Sequence, residues 1–169
     1  MDDLFVEREQ HNQKNAQWKN APDSGAFRLP EKLDMRLIYL SDKFYEKYGK
    51  YPEILKKDSR PYACLEVEID GRTYAIPLRH HITHKYAFLT IGNQGLDYTK
   101  AVVIDDDEYI SSLPAWIDSA EFAIIKNRES VIANGMKKYC RIYQKAVQYK
   151  DKPFYSDILK YTTLKYFDF

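Results

Sequence analysis

Three of the four histidines in the chain lie within one short stretch, IPLRHHITHKYAF, which runs from position 76 to position 88. Imidazole groups exchange protons near neutral pH, and a guanidinium group binds phosphate oxygens two at a time. Three interpretations of the stretch are open: a metal site, a metal-free site that cleaves phosphodiester bonds, and a solvated loop without catalytic function. The side chains that could do this chemistry are Arg79, His80, His81, His84 and Lys85.

A metal site in this stretch would depend on His80 and His84, which are spaced as two ligands on one helical face would be. The zinc-protease pattern requires a glutamate directly after the first histidine, and this chain has His81 there. Arg79 and Lys85 would also repel a divalent cation. The pattern therefore disfavours a metal site but leaves it as an alternative.

Metal-free RNA cleavage needs a base at the 2′-hydroxyl, an acid at the leaving 5′-oxygen and cations around the transition-state charge. RNA supplies its own nucleophile, the 2′-hydroxyl. Histidine suits the two proton transfers, for which His80, His81 and His84 are all available, and arginine suits the charge. The stretch therefore contains the groups that the reaction requires. A surface loop whose histidines form local hydrogen bonds explains the same residues.

The surrounding sequence predicts an α+β fold with a largely antiparallel sheet, because strands come first and helices follow. Two β-prone runs flank Asp70-Gly71, which is a strong hairpin signal. The second run leads into the histidines. It contains Pro77, which cannot donate a ladder hydrogen bond, so we expect this end of the strand at a sheet edge or a bend. Further strands are predicted at 36–40, 86–91 and 100–104.

The predicted helices begin with a short one at 42–49, which Ser41 could cap. The apolar spacing after position 119 predicts a long helical region, and Asn134-Gly135 is expected to break or kink it. The last helix is predicted at about 155–166. Its expected inward-facing residues are Ile158, Leu159, Thr162 and Phe167.

The 169-residue length suits one domain, and a hydrophobic content of 44% is sufficient for a core. Residues 1–34 are polar and interrupted by prolines and a glycine, so we interpret them as an N-terminal extension of a domain at 35–169. The sequence has neither a signal-peptide pattern nor an apolar run that could span a bilayer, which favours a cytoplasmic protein without membrane partners. Cys64 and Cys140 are expected to be buried thiols.

The net charge is only +1, but bases are concentrated near the C-terminus. From position 136 onward there are eight Lys and Arg against three Asp, a difference of five positive charges. Many of these bases lie beside tyrosines, and such alternation can bind single-stranded nucleic acid through phosphate contacts and stacking. A solvated helix face explains the charges equally well. The candidate RNA-binding residues in this region are Lys137, Lys138, Arg141 and Lys145.

The order of these features resembles that of the toxins of type III toxin–antitoxin systems, the ToxN/AbiQ/TenpN-like endoribonucleases, and most closely the CptN-like branch. Two segments carry the resemblance: MRLIYLSDKFYEKYG at 35–49 and RPYACLEVEIDGRTYAIPLRHHITHKYAF at 60–88. The better-known branch has a Thr-Ser pair and a Lys after the Pro-Leu step, where this chain has Arg79 and His80. The matching places are Ser41 after the first strand, Arg60 before the hairpin, and Pro77-Leu78 leading into Arg79-His80-His81.

This resemblance implies a compact, twisted antiparallel sheet flanked by helices, related in architecture to the MazF/Kid-like toxins. It implies an endoribonuclease that needs neither metal nor cofactor and leaves 2′,3′-cyclic phosphate and 5′-hydroxyl ends on cellular or phage RNA. It also implies an antitoxin RNA of repeated pseudoknots, which the toxin processes and which inhibits it in a closed protein–RNA assembly, as well as a role in phage defence. The implied catalytic residues are Arg60, Arg79, His80 and His81, and Ser41, His84 and Lys85 would contact RNA.

Two other functions stay open at this point. A non-catalytic RNA-binding module would use the bases and aromatics, and its histidines would be incidental. A histidine-ligated metallohydrolase would use His80 and His84 as ligands. Cleavage of RNA in the presence of a chelator separates the three possibilities.

Overall fold

The computed structural model of the protein describes residues 35–56 and 62–169. These residues form an α+β fold whose six strands all pair antiparallel, which confirms the predicted class. The predicted extension at 1–34 and the candidate Arg60 lie outside the described residues. The strands are β1 (Arg36–Ile38), β2 (Cys64–Ile69), β3 (Arg72–Arg79), β4 (Ala87–Leu89), β5 (Gly95–Asp97) and β6 (Val102–Ile104). The helices are α1 (Asp42–Tyr48), α2 (Ser119–Ile125), α3 (Glu129–Gln148) and α4 (Pro153–Tyr161).

The hairpin of β2 and β3 forms the centre of the sheet. Asp70 and Gly71 make its turn with φ angles of 51° and 78°, as the sequence predicts. Ile69 pairs with Arg72, and the ladder continues to the pair of Cys64 and Pro77. The register places the end of β3 where β1 also ends, because both strands run antiparallel to β2.

The neighbour of β3 on its other side is interrupted. Both β5 and β6 pair with β3, and a 3₁₀ turn at Tyr98–Lys100 separates them. Leu78 donates its N–H to Ala63 on the β2 side, so the nitrogen of Pro77 faces the interruption. The sheet edge expected at Pro77 is therefore wrong: β3 is an interior strand, and the gap in its neighbour accommodates the missing donor.

The N-terminal strand and helix follow the prediction. Ser41 caps α1, since its hydroxyl accepts from Phe44 N at 3.3 Å. Leu40 forms an isolated bridge with Ile110, which adds a short segment to the outer side of β1. Phe44 is fully buried and packs edge-on against Tyr109. The β1 edge of the sheet is thus covered by α1 and the segment around residue 110.

Helix α3 runs without interruption through Asn134-Gly135, so the break predicted there is wrong. The chain breaks earlier, between α2 and α3, where Asn127 has a φ of 64°. Gly135 instead permits close packing: a Cβ at this position would lie 2.2 Å from the hydroxyl oxygen of Tyr98. That hydroxyl donates to Ile132 O at 3.2 Å and fixes α3 on the 3₁₀ turn.

The core lies between the sheet and the C-terminal helices. Helix α3 contributes its buried stripe, including Ile132, Met136 and Tyr139, which are at most 2% exposed. Cys64 and Cys140 are buried free thiols, as expected. The inward positions predicted around α4 are confirmed: Ile158, Thr162 and Phe167 are buried, and Leu159 packs against the core.

Candidate active site at the end of strand β3

Strand β3 ends at Arg79, which pairs with Gly95 of β5 and keeps 29% of its side chain exposed. His80 and His81 follow directly, and both are exposed. Their ring centroids are 6.5 Å apart. The φ of His81 is 57°, in the left-handed region, so the chain turns sharply at this residue. The turn leaves two imidazoles and one guanidinium at the same end of the sheet.

The backbone of the loop from residue 80 to residue 86 forms hydrogen bonds at two points that follow His81. Ile82 is buried, and its N–H donates to Asn93 O at 2.9 Å. Tyr98 N donates to Tyr86 O at 3.1 Å where the loop returns to the sheet. His80 and His81 therefore project from a loop whose backbone is held in place, a favourable arrangement for a functional side chain.

A buried carboxylate lies beneath this loop. Asp97, the last residue of β5, is 0% exposed. Its Oδ2 accepts from Arg79 Nη1 at 2.6 Å. Its Oδ1 accepts from the backbone N–H of Thr99 at 2.9 Å and from the Thr99 hydroxyl at 2.6 Å, which caps the 3₁₀ turn. A buried charge of this kind is stable only when it is paired and hydrogen-bonded, and here both oxygens have partners.

His84 approaches the same carboxylate. Its Nε2 lies 3.3 Å from Asp97 Oδ1, and its Nδ1 accepts from the backbone N–H of Tyr86 at 3.2 Å. A ring nitrogen that accepts a hydrogen bond carries no proton, so these partners assign the proton to Nε2. Both nitrogens of His84 are thus engaged within the protein, unlike the exposed rings of His80 and His81.

Two further candidates lie near the loop with other contacts. Lys85 is exposed, and its Nζ is 5.5 Å from the ring centroid of Tyr86. Ser41 follows the last residue of β1 by three positions, and β1 ends at the same end of the sheet as β3. The Ser41 hydroxyl is used in the cap of α1 and donates to Glu108 O at 2.6 Å. Ser41 therefore supports the local fold on this side of the sheet.

The basic candidates on α3 are separate from the loop. Lys137 pairs with Asp70 at 2.9 Å, beside the hairpin turn. Lys138, Arg141 and Lys145 are exposed on the face of α3 opposite its buried stripe. Because the buried stripe packs toward the sheet, these three cations point away from it. Arg79 and His84 thus meet at Asp97, and His80 and His81 directly follow Arg79 in the chain, whereas the α3 cations lie on another surface.

Asp97 was not among the site residues predicted from the sequence. The residue stands 18 positions after Arg79 and looks like part of a short strand. One signal was present: an Asp followed two residues later by Thr commonly caps a turn through its side chain. That signal predicts the cap on the 3₁₀ turn, but the contact with Arg79 arises only when β5 pairs with β3.

Among residues 35–56 and 62–169, no three His, Cys, Asp or Glu side chains are grouped so that they could hold a metal ion. None of the helices described is both long and apolar enough to cross a bilayer. Comparison of the chain with protein-family models, curated proteins and solved structures gave no match.

Proposed function

We propose that the protein is a metal-independent endoribonuclease and the toxin of a type III toxin–antitoxin system. The observation that supports this most is the arrangement at the end of β3. An arginine held by a buried carboxylate is followed directly in the chain by two exposed histidines, on a loop whose backbone is held by hydrogen bonds. These groups match the needs of phosphodiester cleavage by an internal 2′-hydroxyl.

In the proposed reaction, one of the two imidazoles of His80 and His81 removes the proton of the 2′-hydroxyl. The 2′-oxygen then forms a bond to phosphorus, and the bond from phosphorus to the 5′-oxygen breaks. The other imidazole, in its protonated form, gives its proton to the leaving 5′-oxygen. The products are a 2′,3′-cyclic phosphate and a 5′-hydroxyl, and both rings end in the opposite protonation state.

Arg79 is the proposed stabiliser of the transition-state charge. A guanidinium has five N–H donors, and the described part of the chain engages one of them, on Asp97. The side chain is partly exposed, so its remaining donors can meet phosphate oxygens. Because Asp97 fixes the group in advance, little reorganisation is needed when the phosphate arrives.

The antitoxin RNA is the proposed partner, in a closed assembly of repeated pseudoknots and toxin. The outer face of α3 supports this part, because Lys138, Arg141 and Lys145 are exposed and form no ion pair within the described residues. We also propose the MazF/Kid-like architecture for the sheet, a cytoplasmic location and a role in phage defence. The antiparallel sheet supports the proposed architecture, and the other two proposals rest on the sequence features and the resemblance given above.

The test is cleavage of a randomised single-stranded RNA pool by the full chain in excess EDTA, with the product ends identified. His80→Ala and His81→Asn should each lower the cleavage rate about 100-fold or more while RNA binding persists. Asparagine is used at position 81 because it tolerates the left-handed backbone. Lys43→Ala, whose side chain is engaged in an ion pair with Asp106, is the matched control.

The outcome that contradicts the proposal is wild-type cleavage by both histidine variants. RNA binding without cleavage by the unmodified protein would indicate a binding module. Cleavage that EDTA abolishes and added metal restores would indicate a metallohydrolase.

A further inference from the structure

We infer that Asp97 is a positioning residue that acts through Arg79 and His84, an inference that rests on the proposed function for its catalytic consequence. The Asp97 carboxylate is completely buried, so it does not contact the proposed substrate directly. Its effect is to hold the Arg79 guanidinium and the His84 ring at fixed positions.

The contact with Arg79 determines where the guanidinium lies. Arginine has several rotatable bonds, and an exposed arginine at a strand end samples many positions. The 2.6 Å hydrogen bond from Nη1 to Asp97 Oδ2 restricts it to one. The guanidinium is thereby held at the end of β3, one position before His80 in the chain, and it would stabilise the transition-state charge of the proposed reaction from there.

The contact with His84 determines the course of the loop. With Nδ1 accepting from Tyr86 N and Nε2 directed at Asp97, the ring joins the returning end of the loop to the carboxylate. In this arrangement the hydrogen bond that Nδ1 accepts assigns the ring proton to Nε2. The proton-transfer roles therefore belong to His80 and His81, and His84 is a second positioning residue.

The carboxylate itself is held by the C-terminal segment. Thr163 N donates to Thr99 O at 3.0 Å, and the Thr163 hydroxyl donates to the same oxygen at 3.2 Å. The hydroxyl also contacts Ala101 O. Thr163 is 0% exposed, so the 3₁₀ turn that Asp97 caps is fixed from the core side. The backbone hydrogen bond from Thr163 N to Thr99 O holds this turn independently of the Thr163 side chain.

The test compares Asp97→Asn with Thr163→Val in the full chain. Both remove hydrogen bonds around the 3₁₀ turn, but only the first changes the carboxylate. The RNA probe is a fluorescent oligoribonucleotide with the sequence that the wild type cuts most in the randomised pool. Asp97→Asn should lower kcat about tenfold to a hundredfold with little change in KM, because the misplaced guanidinium is needed in the transition state. Thr163→Val should lower stability and leave kcat within about threefold of wild type.

A second readout is independent of RNA. Nitrogen-15 NMR of histidine-labelled protein at mildly alkaline pH reports which nitrogen of each ring carries the proton, and a His84→Gln variant assigns the signals. The wild type should show His84 protonated on Nε2, and Asp97→Asn should show a mixture of tautomers. Thr163→Val should resemble the wild type.

An unchanged kcat in Asp97→Asn overturns the inference, and so does a His84 spectrum that is the same in Asp97→Asn and wild type. If the wild type cleaves no RNA at all, the proposed function fails. The NMR comparison then decides alone whether Asp97 sets the position of the loop.

Discussion

At the scale of single residues, the ion pair of Arg79 and Asp97 has a large effect on stability because one partner is fully buried. Arg79→Ala leaves the carboxylate without its cation and should destabilise the fold by about 3 kcal/mol, with the partial exposure of Arg79 moderating the loss. Arg79→Ala combined with Asp97→Asn should cost less than the sum of the single changes. Urea unfolding measures all three variants.

The control for this prediction is Arg72→Ala on the same strand. Arg72 contacts the Asp168 carbonyl oxygen and the Phe169 ring near the surface, so its removal should cost about 1 kcal/mol or less. Equal losses for Arg79→Ala and Arg72→Ala would show that the buried carboxylate does not depend on its cation.

The candidate site was partly predictable at this scale. Arg79, His80 and His81 could be selected as candidates from the sequence because their chemistry is evident from residue type and they are adjacent. Asp97 could not be connected with them, since its role depends on the pairing of β5 with β3. The engagement of His84 was also unpredictable, because a ring nitrogen's partner depends on how the loop returns to the sheet.

At the scale of the elements, Gly135 in α3 gives a prediction with a definite sign. Helix propensity alone makes Gly→Ala stabilising by about 1 kcal/mol in a helix interior. The contact with the Tyr98 hydroxyl opposes this, because the added Cβ would lie 2.2 Å from it. Gly135→Ala should therefore destabilise the protein by about 1 to 3 kcal/mol in thermal or urea unfolding.

Asn134→Ala is the matched control, since Asn134 is the exposed neighbour in the same helix. This variant should be neutral or slightly stabilising. Stabilisation by Gly135→Ala would mean that α3 does not approach the 3₁₀ turn as closely as described.

The same helix carries the predicted contribution to RNA affinity. Replacing Lys138, Arg141 and Lys145 together with Gln should weaken RNA binding and flatten the dependence of log K on log salt by about 2, since three phosphate contacts are lost. Lys43→Gln is the control because Lys43 pairs with Asp106. Filter binding or fluorescence anisotropy over a salt series measures the slope. An unchanged slope would place the RNA on another surface.

Local sequence signals predicted most of the helices and strands. The errors occurred at residues whose conformation depends on tertiary contacts. The Asp70-Gly71 turn and the Ser41 cap are determined by neighbouring residues, and both are found. Gly135 was expected to break α3, but its purpose is a close approach to Tyr98, which is 37 positions earlier in the sequence. Pro77 was expected at a sheet edge or a bend. The gap between β5 and β6 that accommodates it could not be predicted, because the sequence of β3 contains no signal for it.

At the scale of the whole molecule, the buried phenols and thiols predict a loss of stability at alkaline pH. Burial raises the pKa of Cys64 to about 12 from 9.0 and that of Tyr98 to about 12 from 10.0. Burial also raises the pKa of Tyr45, Tyr74 and Tyr139. Above about pH 9 the unfolded chain loses these protons while the folded chain keeps them, so the free energy of unfolding falls as pH rises.

The expected fall is about 1.4 kcal/mol per pH unit for each such group between its unfolded and folded pKa. Urea unfolding at a series of pH values from about 7 to 11 measures it. Cys64→Ala is the control, because it removes one titrating group and should make the fall shallower above about pH 9 whatever its effect at neutrality. A free energy of unfolding that is constant over this range would contradict the burial of these side chains.

The backbone conformation of His81 has a consequence for the stability of the fold. A non-glycine residue at a φ of 57° costs about 1 kcal/mol relative to glycine, so a chain selected for stability alone would place glycine at this position. His81→Gly should therefore raise the melting temperature while abolishing whatever the imidazole does. A higher melting temperature in this variant would show that the imidazole at position 81 is retained at a cost in stability.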